Sequence, residues 1–124
     1  MDTSRVILQA SGRSVNMQRL KRNAKFIQLL TDPKFSPAQR KTLIKTASKD
    51  QILTLAEILV NVLQGHLKVS AQQTSELSKY KRFLRKVGKE GRLSWKVRRQ
   101  HLQQSSGSAL RVLAIIKKQL KQVL

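Results

Sequence analysis

From Lys79 to His101 the chain reads "KYKRFLRKVGKEGRLSWKVRRQH", ten Lys or Arg against the single acid Glu90, with three of the five aromatics in the same stretch. An ordinary solvated helix interleaves Glu with Lys and gains pair energy from it. Here Lys79, Lys81, Arg82, Arg85, Lys86, Lys89, Arg92, Lys96, Arg98 and Arg99 have almost no acid nearby. Cations left in this state suit phosphates. Each phosphate they neutralise releases a condensed counterion, so about six to ten contacts would bind DNA strongly at low salt and lose most of that affinity at moderate salt. Such binding carries no sequence information.

The rings in this stretch divide by position. On a helix from Ala71 to Val87, Leu77, Tyr80, Leu84 and Val87 share one stripe and Lys79, Arg82 and Lys86 the opposite one, so Tyr80 reads as core. Phe83 lies between those faces and Trp95 follows a loop, which leaves these two as candidates for stacking on a base. Readout of base edges would need a helix offering Arg, Asn or Gln, and "SWKVRRQHLQQ" offers Arg98, Arg99, Gln100 and Gln103. That pattern is common, and it ranks behind the phosphate reading.

Other chemistries lack their ingredients. His66 and His101 are the only histidines, they stand far apart, and without cysteine no zinc set can be completed. The six acids Asp2, Asp32, Asp50, Glu57, Glu76 and Glu90 fall mostly at loops and helix starts, where they complement the helix dipole. Serines fall at helix starts or linkers, with no nucleophile elbow or phosphate-cradling loop around them. No catalytic residue, metal or cofactor is therefore expected, and no disulfide can form.

The elements that would position the basic stretch are helices. Residues 1–15 show no sustained period and read as a flexible arm carrying Arg5 and Arg13. A helical stripe of Leu20, Ala24 and Ile27 follows and ends at "TDPKFSP". Three capping boxes, "SPAQ", "SKDQ" and "SAQQ", then predict helix starts at Ser36, Ser48 and Ser70. They give a short helix over 37–47, a long one over 49–64 and a third over 71–87, with Gly65 and Gly88 placed where left-handed C-terminal residues are favoured. The 49–64 helix is apolar on nearly every face and is the expected centre. A further short helix is expected from Ser94 to about Gln103, then a polar linker "QQSSGS". The last segment, 109–124, has an apolar stripe of Ala109, Leu113, Ile116, Leu120 and Val123. The expectation is an all-α, compact bundle of about five to six short helices, divided as arm (1–15), basic helical domain (16–104), and linker with C-terminal amphipathic helix (105–124).

Composition agrees with one folded unit. A chain of 124 residues with 40% hydrophobic residues can bury one core, and no segment reaches the roughly 18 apolar residues of a membrane span. The formal net charge of +20 opposes compaction and calls for a polyanionic partner, with DNA favoured over RNA. A homo-oligomer or partner helix engaged through 109–124, or a membrane surface met by the same lysine-flanked stripe, is an alternative for the last segment. No integral membrane association is expected, and the compartment implied is a nucleus or virion, otherwise cytoplasm, not a secreted one.

The order of parts from about Asn23 to Gly107, "KTLIKTASKDQI", "AEILVNVLQGHLKVS", "KYKRFLRKVG" and "LSWKVRRQHLQQSSG", resembles a set of short basic proteins encoded beside capsid genes in Polinton or Maverick elements and adinto-like viruses. The resemblance implies a virus-like or transposon-derived protein associated with a packaged genome. The chain departs from that set in ending on "ALRVLAIIKKQLKQVL" rather than a glycine-rich apolar tail. Three functions follow in order of expectation: sequence-independent nucleic-acid binding for compaction or packaging; an adaptor or assembly protein docking an acidic partner; and a helix-based sequence-specific regulator.

Overall fold

Helix starts are where this sequence is most explicit, and the structure follows them. The computed structural model describes residues 9–10, 13–14, 17–65, 67–89 and 94–124. Among these, nine helices follow one another: α1 (Met17–Arg22), α2 (Ala24–Thr31), α3 (Pro37–Lys45), α4 (Lys49–Leu63), α5 (Ala71–Ser78), α6 (Lys81–Lys89), α7 (Trp95–Gln104), α8 (Ser106–Ile115) and α9 (Lys117–Val123). All three capping boxes form. Ser36 Oγ accepts from the Gln39 amide at 3.2 Å while Gln39 Oε1 accepts from the Ser36 amide at 2.7 Å. The Ser48–Gln51 and Ser70–Gln73 pairs repeat this reciprocal geometry. Each box satisfies two amides that a helix start leaves without partners. Gly65, at φ +73°, turns the chain out of α4 as its type allows.

The arm was expected to lack structure, but within it Gln9–Ala10 pair antiparallel with Arg13–Ser14, too short a ladder to form a layer. Residues 1–8, 11–12 and 15–16 lie outside the described residues, as do His66 and 90–93.

The all-α bundle around an apolar centre is as expected. Ile52, Leu55, Ala56, Ile58 and Leu59 of α4 are fully enclosed. α6 lies along α4 and adds Leu84 and Val87; α7 adds Leu102, and α8 packs against α2, α3 and α5 through Ala109, Val112 and Leu113. Ile116 and Leu120 continue the core toward the C-terminus. Of the apolar stripe of 109–124, considered for a partner helix or a membrane surface, Ala109, Leu113, Ile116 and Leu120 are therefore covered by the chain itself. No helix among the described residues is long and apolar enough to cross a membrane.

The helices are more numerous than the five to six expected, because three are divided by hydrogen bonds that local pattern does not announce. Asn23 separates α1 from α2: its side-chain amide donates to Arg19 O at 2.8 Å, and also to Asp50 Oδ2 at 2.8 Å and Thr54 Oγ1 at 3.1 Å of α4. A side chain bonding its own helix competes with the backbone ladder. Between α5 and α6 the Lys79 and Tyr80 amides bond three residues back, to Glu76 O and Leu77 O, which tightens the turn. Between α8 and α9, Gln73 Nε2 takes the carbonyl of Ile115 at 2.9 Å. A side chain inserted into the ladder in this way bends or breaks a helix. Two further expectations are corrected. The "QQSSGS" stretch is helical on both sides of Ser105, whose amide bonds His101 O while its carbonyl accepts from Ala109. Gly88 is not a left-handed terminus but lies inside α6, where Lys89 still continues the helix.

Candidate nucleic-acid interface

Because α6 buries Leu84 and Val87 against α4 and sets Phe83 at the edge of the core, its other residues must face outward. At about 100° per residue, Arg82, Arg85, Lys86 and Lys89 fall within an arc of about 100° opposite that apolar pair. All four are exposed, and none makes an ion pair among the described residues. From Arg82 to Lys89 the face is about 10 Å long, a length over which duplex DNA presents about six phosphate charges. Lys81 flanks the arc and Lys79 precedes it, both exposed. Arg92 lies outside the described residues.

Among the described residues the face is unpaired because their acids are used elsewhere. Arg19 Nε approaches Asp50 Oδ1 at 3.1 Å and its Nη1 meets Glu57 Oε1 at 2.5 Å; Arg22 Nη2 reaches Asp50 Oδ2 at 3.2 Å. Asn23 completes the cluster through its bond to Asp50. That amide, followed by the Arg22 and Arg19 guanidiniums, holds the Asp50 carboxyl below its usual range against a smaller desolvation cost. Asp32 accepts the Lys34 amide in its own turn at 2.9 Å, and Glu76 accepts weakly from Gln72 at 3.4 Å. The arginines of α1 thus hold α1 to α4, whereas those of α6 face solvent.

α7, capped by the Ser94 hydroxyl accepting the Val97 amide at 3.3 Å, sorts its residues differently from the sequence expectation. Lys96 and Gln100 are exposed, but Arg98 and Arg99 are half-buried. Arg99 Nη1 donates to Ala47 O at 3.2 Å, just beyond the end of α3, and its guanidinium lies 5.0 Å from the centroid of the Trp95 ring. A cation capping a helix C-terminal carbonyl while covering an indole is a packing device. Arg98 is also engaged within the chain. Gln103 is half-buried, so the four residues considered for base reading do not share one outward face.

The two candidate stacking rings are held in place. Trp95 packs on the core under Arg99, and Phe83 sits at the seam of α6 and α7 beside Lys86, His101 and Leu102. Tyr80, expected in the core, is half-buried against it and also borders a surface cleft. Across that cleft stands Arg111 of α8, an exposed cation outside the basic stretch that the sequence marks. Its nearness to Lys79 depends on how α5 docks on α8, which no local pattern reveals. Among the described residues no three His, Cys, Asp or Glu gather as a metal site would require.

No protein family, curated protein or solved structure matches the chain. The functional reading therefore rests on the fold and on this distribution of charge.

Proposed function

We propose that the protein is a non-enzymatic nucleic-acid-binding protein that engages the phosphate backbone through the outward face of α6, without regard to sequence, to compact or package DNA. The observation that carries the reading is the contrast between two sets of cations in one chain. Arg19 and Arg22 are matched to Asp50 and Glu57, while Arg82, Arg85, Lys86 and Lys89 are aligned, exposed and, among the described residues, unmatched. A row of like charges left uncompensated opposes folding, and a polyanion removes that opposition on binding. The inward setting of Arg98 and Arg99 weakens the sequence-specific alternative, since α7 then offers Lys96 and Gln100 alone to a groove from its first turns. The resemblance in order of parts to basic proteins encoded beside capsid genes supports a packaging role, in a virion core or a nucleus.

The test is titration of two unrelated duplexes of equal length across a salt series. Equal affinities and an equal, steep loss with salt are expected. A preference for one duplex that persists at physiological salt would return the regulator, and weak binding to both would favour an acidic protein as the partner of the same face.

A further inference from the structure

A cleft between α5 and α8 brings cations from two elements together. Glu76, Lys79 and Tyr80 line it from the end of α5 and the turn that follows, and Arg111, Ala114 and Ile115 line it from α8. Its walls are fixed relative to each other by one residue. Gln73 accepts the Ser70 amide in its capping box, donates to Ile115 O at 2.9 Å, and exchanges amide bonds with Gln119, each at 3.1 Å. Gln119 in turn donates to Lys68 O at 3.1 Å. This polar clamp is half-buried to buried, so Lys79 and Arg111 are presented from a braced frame and not from a loop.

Resting on the proposed function, we propose that this cleft is a second phosphate site, in which Lys79 and Arg111 grip one backbone phosphate of the bound nucleic acid from opposite walls while the α6 face engages its neighbours. The Tyr80 hydroxyl, which makes no hydrogen bond among the described residues, is available at the same place as a donor to a phosphate oxygen. Lys79 and Tyr80 also lead directly into α6, so the cleft adjoins the start of the helix that carries the basic face. Among the described residues Glu76 is the one group in the cleft whose charge opposes a phosphate, and this gives a two-signed signature. Removing Arg111 must weaken binding, whereas neutralising Glu76 must strengthen it.

The experiment compares the intact protein with Arg111→Gln, Glu76→Gln and, as a control on α9, Lys118→Gln, each titrated with a labelled random duplex between about 50 and 200 mM salt. Losing one phosphate contact lowers the log–log slope by about 0.9, so Arg111→Gln should narrow the fall in affinity over that fourfold salt range by about three- to fourfold. Glu76→Gln should bind more tightly at the lowest salt, and Lys118→Gln should keep the intact slope within error. If Arg111→Gln matches Lys118→Gln, or Glu76→Gln fails to tighten binding, the cleft is not a phosphate site. If the intact protein itself fails to bind, it is the proposed function that falls.

Discussion

Replacing Arg82, Arg85, Lys86 and Lys89 together by Gln should make the protein more stable, although it removes four of its 26 basic residues from the proposed binding face. Gln and the basic residues have nearly equal helix propensity, so the exchange leaves the backbone preference of α6 unchanged. What changes is chiefly repulsion, offset in part because Lys86 and Lys89 give up a favourable place in the last turn of α6. On α6 the pairs 81/85, 82/86 and 85/89 stand four residues apart and 82/85 and 86/89 three apart, all like-charged and all exposed. Each such pair destabilises a helix by about 0.2–0.5 kcal/mol. The five together amount to about 1–2.5 kcal/mol at low salt. The assay is urea unfolding followed by far-UV circular dichroism and by the fluorescence of Trp95, the single tryptophan. Urea is uncharged and does not screen. At about 10 mM salt the variant should unfold at higher urea with an unchanged slope, and at about 1 M, where the Debye length is about 3 Å, the advantage should vanish. A variant equal to or less stable than the intact protein at low salt would refute the reasoning, for it would mean that these side chains have partners within the fold.

Three further outcomes follow from the same contacts. Ser48→Ala removes the cap of the central helix and should cost about 1 kcal/mol in urea unfolding; no loss would mean that α4 is held by packing alone. Asp50 has a lowered folded pKa, so its contribution is present above the ordinary carboxylate value of about 3.9 and disappears as pH falls through the lower folded value. Asp50→Asn should therefore melt below the intact protein at about pH 6, the difference closing toward about pH 2, and a difference constant with pH would contradict the assignment. Arg99→Gln gives up the bond to Ala47 O and the contact with Trp95, a loss of about 1–2 kcal/mol in stability, yet should leave the salt slope of DNA binding unchanged. A fall in that slope would put Arg99 on the nucleic acid after all.

How far the sequence could be read depended on whether a feature is local. The boxes at Ser36, Ser48 and Ser70 formed as their spacing predicted, because each is closed by residues three apart. The apolar run of α4 likewise identified the centre, since a helix without a polar face has to be enclosed. The division at Ile116 was hidden because its cause, Gln73, lies 42 residues from the carbonyl it engages, and the Asn23 side chain that breaks its own helix is held by Asp50, 27 residues away. The charge surplus was equally plain, but its allocation was not. Nothing local distinguishes Arg99, which reaches Ala47 across 52 residues, from Arg85, which faces solvent. Arg111 is not legible for the same reason, because Lys79 becomes its neighbour only when α5 docks on α8.

The most direct test of the central claim is the salt dependence of duplex binding for three proteins: the intact chain, the variant with Arg82, Arg85, Lys86 and Lys89 changed to Gln, and a charge-matched variant with Lys25, Lys34, Lys118 and Lys121 changed to Gln. The control cations are exposed on α2, the turn after it and α9. If the α6 face holds the phosphates, its variant should lose about three to four units of log–log slope while the control loses less than about one. Equal losses in the two variants would show that only total charge matters, and would contradict a site on α6.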